Sequence, residues 1–108
     1  MEVRITSRHT DLPDPLRERA EEMISKLTKY EPRLSAAEVV FIEEKRSLRV
    51  EGILHIDRGD PIVATGEAEK FRTALDHLVG RLTTQLRRKH SQVVDHQAPK
   101  LSEALAEE

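Results

Sequence analysis

The hydrophobic period of this chain changes repeatedly, and those changes leave few folds open. Residues 2–8 alternate, with Val3, Ile5 and Ser7 on one side and Arg4, Thr6 and Arg8 on the other. That period of two predicts a half-buried strand. Leu12-Pro13-Asp14-Pro15 interrupts it, with Asp14 expected as the N-cap of a helix and Pro15 at the first helical position. Leu16, Ala20, Met23, Ile24, Leu27 and Tyr30 then recur every three or four residues as one apolar stripe. Acids come early in that stretch (Glu18, Glu21, Glu22) and Lys26 and Lys29 late, as the helix dipole favours. Pro32 closes the helix. The apolar run at 37–43 predicts a second strand, continuous enough to be covered on both faces. Residues 47–57 alternate again, and after the turn Arg58-Gly59-Asp60-Pro61 a short fourth strand covers 62–66. From Glu67 the period is helical once more, carried by Phe71, Ala74, Leu75, Leu78, Val79, Leu82 and Leu86, and it fades after His90.

The expected order is β-α-β-β-β-α. A right-handed crossover makes the first two strands parallel, and the remaining strands follow as hairpins. The fold class is therefore an α/β (α+β) two-layer sandwich, a four-stranded mixed sheet with both helices on one face. The other sheet face stays open and presents some mix of Arg4, Val40, Ile42, Ile53, His55 and Val63, depending on the register of the second strand. The 108 residues suit one domain, expected over 1–92, with a flexible acidic tail at 93–108. There are no cysteines, hence no disulfide or thiolate chemistry. No apolar run is long enough to span a bilayer, and Met1-Glu2-Val3-Arg4 is no signal core, so a cytoplasmic protein is expected.

Little in the chain points to catalysis. His9, His55, His77, His90 and His96 form no metal-binding pattern, the four glycines are isolated, and no serine sits in a nucleophile elbow. The reading is of a non-enzyme with no cofactor and no metal. Charge is more informative once divided along the chain. The net charge is −2, yet residues 70–90 carry six basic groups against Asp76 alone. At about 100° per residue, Lys70, His77, Arg81, Thr84 and Arg88 fall within about 60° of one another on the second helix. Arg72 and Arg87 lie elsewhere, and Lys89 extends the end. On the first helix Arg19, Lys26 and Lys29 share a flank, interrupted by Glu22. Two basic flanks on one sheet face are expected to border a single groove suited to a phosphate backbone. A solvated helix face is the competing account, and a protein-interaction module using Val40, Ile42, Ile53 and Val63 on the open sheet is another. Aromatic residues are only Tyr30, Phe41 and Phe71, so no base-stacking platform is available and contacts to the phosphates of structured RNA fit better.

Several segments resemble one family in order and spacing. Ile5-Thr6-Ser7-Arg8-His9, Pro15-Leu16-Arg17 and Lys26-Leu27-Thr28-Lys29-Tyr30 come first. The Gly59 turn, Val63-Ala64-Thr65-Gly66-Glu67-Ala68-Glu69, Ala74-Leu75-Asp76 and Arg81-Leu82-x-x-Gln85-Leu86 continue the match. Across about residues 1–92 the chain resembles the ribosome hibernation promoting factor family, which includes ribosome-associated inhibitor A, protein Y and sigma modulation proteins. The resemblance implies a fold similar to the double-stranded-RNA-binding domain. It also implies binding to the small ribosomal subunit and its rRNA in the mRNA–tRNA channel, with translation blocked in stationary phase or stress. The family's rRNA-contacting positions map onto Lys26, Lys29, Arg81, Arg88 and Lys89. With the helix stripe, the expected RNA-binding set is Lys26, Lys29, Lys70, His77, Arg81, Thr84, Arg87, Arg88 and Lys89. Thr83-Thr84 stands where relatives often carry Glu-Arg, so Thr84 offers a hydroxyl in place of a cation. The acidic tail resembles that of the inhibitor-type members, which are associated with inactive single ribosomes instead of dimers.

Overall fold

The computed structural model describes residues 1–97. Along them run β1 (Glu2–Arg8), α1 (Asp14–Ser25), a turn of 3-10 helix (Lys26–Lys29), β2 (Leu34–Glu43), β3 (Leu48–Ile56), β4 (Ile62–Ala68) and α2 (Phe71–Gln97). The strands form one sheet in the order β1-β2-β3-β4. β1 and β2 pair in parallel across α1, and the other two pairings are antiparallel hairpins. Both helices cover one face, where Ala20 and Ile24 of α1 join Leu75, Leu78 and Leu82 of α2 in a single core with Val39, Phe41, Val50 and Leu54. Phe41 and Phe71 meet edge-to-face inside this layer, ring centroids 5.4 Å apart. The mixed two-layer sandwich is thus the one that the periodicity predicts.

Several boundaries differ, each for a local reason. Pro13, not Asp14, is the N-cap: it is extended, and its carbonyl accepts the N–H groups of Leu16 and Arg17 at 3.1 Å. Asp14 instead adds negative charge to the first turn. The first helical stripe is not one helix, because α geometry gives way to 3-10 at Lys26. Leu27 and Tyr30 are three apart, as 3-10 winding requires, and Thr28 Oγ1 donates to the Ser25 carbonyl at 3.0 Å. β2 starts at Leu34, three residues before the apolar run, and a register shift between Leu34 and Ala36 breaks its alternation. It is covered on one face only: Ala37, Val39 and Phe41 are buried while Val40 and Ile42 are half-exposed.

β4 continues past Gly66, pairing Glu67 with Arg49 and Ala68 with Leu48, so α2 begins at Phe71 and not at Glu67. α2 then runs beyond His90 to Gln97, since no Gly or Pro interrupts it before Pro99. Residues 93–97 of the expected acidic tail therefore continue α2, and the remainder lies outside the described residues. Gly66 allows the close approach of α2 to β4: a Cβ there would overlap the carbonyl oxygen of Ala74 and lie 2.7 Å from the Leu78 nitrogen.

The register of β2 puts all six candidate residues on the open face, in registered rows. Arg4, Glu38, Ile53 and Val63 form one row, and Arg8, Ile42, Arg49 and Glu67 another. Charged side chains interleave with apolar ones throughout, tied by Arg49–Glu51 and His55–Glu38 contacts of 2.8 Å each. Val63, 56% exposed, is the one large apolar side chain of this face that is exposed among the described residues.

Candidate nucleic-acid interface

β4 is an edge strand, so alternate carbonyls along its outer side have no strand to pair with. α2 supplies the partners. Gln85 Nε2 donates to the Val63 carbonyl at 3.1 Å, Arg81 Nη1 to the Thr65 carbonyl, and His77 Nδ1 lies 3.1 Å from the Glu67 carbonyl. Two strand residues advance about 6.7 Å and four helical residues about 6 Å. Residues 63, 65 and 67 therefore stay in step with 85, 81 and 77 of the antiparallel helix. The ladder seals the sheet edge and fixes the flank of α2 that carries the basic stripe. His77 turns Nδ1 toward a backbone carbonyl, which can only accept, so Nδ1–H is the donor of this rung. Gln85→Leu removes one rung and leaves the Val63 carbonyl without its donor. A loss of about 1 kcal/mol is expected, read as a lowered urea midpoint with unchanged slope.

Beside this ladder lies an open groove of about 810 Å³ lined by Ala64, Thr65, Asp76, His77, Gly80, Arg81, Thr84, Gln85 and Arg88. A smaller hollow of about 320 Å³ is lined by Ile62, Gln85, Arg88 and Lys89. Gln85 and Arg88 belong to both, so the two form one trough along the β4 edge. Gly80 leaves the trough wide, since a Cβ there would touch nothing within 4 Å. Arg81 spends one of its five N–H donors on Thr65 and keeps the others. Thr84 Oγ1 donates to the Gly80 carbonyl at 3.0 Å, which leaves the hydroxyl oxygen as an acceptor.

The structure thus gathers His77, Arg81, Thr84, Arg88 and Lys89, and it leaves four expected site residues elsewhere. Lys70 precedes α2, where its carbonyl accepts the Ala74 N–H at 2.9 Å. Arg87 is exposed but lines neither hollow. Lys26 pairs with Glu22 at 3.2 Å, and Lys29 Nζ sits 5.2 Å from the centroid of the Tyr30 ring. Neither lysine lines the trough, so the groove between two basic helices expected from the sequence is instead a trough between α2 and β4. Asp76, which also lines the groove, is paired with Arg19 of α1 at 3.1 Å. Gln85 is the residue that sequence reasoning missed. The matched spacing of 77, 81 and 85 against 63, 65 and 67 was the available signal.

Lys89 is half-buried, its Nζ 3.3 Å from where a Cβ on Gly59 would sit. At this end of the molecule the Arg33 guanidinium, hydrogen-bonded to Glu31 at 3.0 Å, holds the Glu31 carboxyl below its ordinary value against the opposing effect of burial. The charge of Lys89 pulls weakly in the same direction. The contribution of Glu31 to stability is therefore present above the ordinary carboxylate range and fades as pH falls through its lowered value. Among the described residues no group of three His, Cys, Asp or Glu is placed to hold a metal ion. No helix among them is long and apolar enough to cross a membrane.

Residues 3–94 match the family model described as sigma 54 modulation protein / S30EA ribosomal protein. The chain belongs to that family. A ribosome hibernation promoting factor from Azotobacter vinelandii is 32% identical over 97 residues, 90% of each chain. One from Escherichia coli K12 is 28% identical over 96 residues, covering 89% of this chain and all of that one. Among solved structures, the N-terminal domain of Thermus thermophilus Protein Y superposes with a TM-score of 0.74 at 25% identity, covering 82% of this chain and 98% of that one. A ribosomal subunit interface protein from Coxiella burnetii shares the fold, with a TM-score of 0.78 at 23% identity over 84% of this chain and 99% of that one. The family is one of ribosome hibernation factors and not of enzymes.

Proposed function

We propose that this chain is a cytoplasmic ribosome hibernation factor that binds the small ribosomal subunit and inhibits translation by occupying its mRNA–tRNA channel in stationary phase or stress. The observation that carries the reading is the trough on the β4 edge, where Arg81, Arg88 and Lys89 are gathered by a helix fixed to the sheet. Such a cluster of cations on a rigid support suits the phosphates of folded rRNA. Phe41 is buried and Phe71 packs against it, so neither ring is free to stack on a base. Recognition then rests on backbone and shape. Lys26, Lys29, Lys70 and Arg87 lie outside the trough and extend the positive surface as secondary contacts. The names of the relatives, ribosome hibernation promoting factors, support the partner and the setting.

A salt titration of binding to isolated small subunits tests the reading. Seven phosphate contacts, from the three trough cations with Lys26, Lys29, Lys70 and Arg87, should weaken binding roughly 6,000-fold between about 50 and 200 mM salt. Binding insensitive to salt would overturn it and favour an apolar contact through the open sheet face. A ribosome profile with and without the protein then separates inactive single ribosomes from dimers.

A further inference from the structure

Within the basic stretch 70–90 the only carboxylate is Asp76, and the fold places it on the lining of the same groove as His77, Arg81 and Arg88. A free carboxylate there would repel an incoming phosphate and draw the guanidinium groups toward itself. Asp76 is not free. Arg19, 57 residues earlier on α1, donates from Nη2 to Asp76 Oδ1 at 3.1 Å. The Arg19 Nε is buried and has no hydrogen-bond partner, so the stem lies packed against the protein with its charged end fixed on Asp76. Stability does not account for this arrangement. The two side chains are 36% and 46% exposed, a setting in which an ion pair adds little, while a buried unpaired N–H costs free energy.

We infer that Arg19 is a positioning residue that masks Asp76, so that the trough meets a phosphate backbone with its cations alone. The inference rests on the trough being the phosphate site. Arg19 acts from a different helix, lines neither hollow itself, and works through the carboxylate it neutralises.

A double-mutant cycle on binding to isolated small subunits at fixed salt tests it, with Arg81→Glu/Arg88→Glu as reference. Arg19→Gln should weaken binding about fivefold, the effect of one unscreened charge near a phosphate. Asp76→Asn should tighten binding about twofold. Adding Arg19→Gln to Asp76→Asn should then change affinity by less than about twofold. Binding restored without restoring the ion pair is something a purely structural role for Arg19 cannot produce. Equal weakening by Arg19→Gln in both backgrounds would make Arg19 a direct phosphate contact and overturn the masking role, as would no weakening in either. If the reference variant fails to bind, either outcome counts against masking alone. If the reference variant binds like wild type, the phosphate reading of the trough falls instead.

Discussion

Arg81→Glu combined with Arg88→Glu is expected to abolish co-sedimentation with small ribosomal subunits. Both guanidinium groups line the trough, and among the described residues neither is tied to a carboxylate. Each reversal removes one attraction and adds one repulsion, so the pair shifts binding by about 4 kcal/mol at about 1 kcal/mol per solvated contact. That is roughly a thousandfold in affinity, enough to empty the bound fraction in a sucrose gradient. The two positions differ in what else they do. Arg81 also caps the Thr65 carbonyl, so its replacement should cost about 1 kcal/mol of stability. Arg88 has no such bond among the described residues, and Arg88→Glu alone should lose roughly thirtyfold in affinity with an unchanged urea midpoint. A folded double variant that still co-sediments like wild type would remove the trough from the binding mechanism.

How much of this was legible beforehand depends on what each feature is made of. The apolar stripe of α2 is written in side-chain type, and Ala74, Leu75, Leu78, Leu82 and Leu86 are indeed buried. The alternation of β3 is equally direct, with Val50, Leu54 and Ile56 inward and Arg49, Glu51 and Ile53 outward. Leu34 was hidden because a bulge shifts its phase by one residue against Ala37. A helical wheel places Arg81 and Arg88 on one flank but cannot say which element borders that flank. The neighbour turned out to be the β4 edge and not α1. Gln85 was invisible for a related reason: the groups it serves are backbone carbonyls, and every sequence has those. The position of Arg19 opposite Asp76 depends on how two helices lie on the sheet, and no local spacing encodes it.

Gly66→Ala should destabilise the protein by about 3 kcal/mol or more, at the upper end of what overpacking costs. The reason is what the added methyl meets. It would overlap the Ala74 carbonyl oxygen and come within 2.7 Å of the Leu78 nitrogen and 3.1 Å of the His77 Cβ. The first two are backbone atoms of α2 and cannot swing aside, so the helix must lift from the strand. Lifting it also stretches the flanking rungs, His77 to Glu67 and Arg81 to Thr65, and displaces the trough cations from the β4 edge. Subunit affinity should therefore fall together with the urea midpoint. Two other glycines set the scale. At Gly52 a methyl meets the ends of Leu78 and Leu82 at 3.1–3.4 Å, atoms that can move by rotamer adjustment, so Gly52→Ala should cost about 1 kcal/mol. At Gly80 nothing lies within 4 Å, and Gly80→Ala should gain about 1 kcal/mol from helix propensity. Urea unfolding of the three variants checks the ranking. A Gly66→Ala midpoint equal to that of Gly52→Ala would mean that the backbone approach of α2 to β4 is not what holds the trough in place.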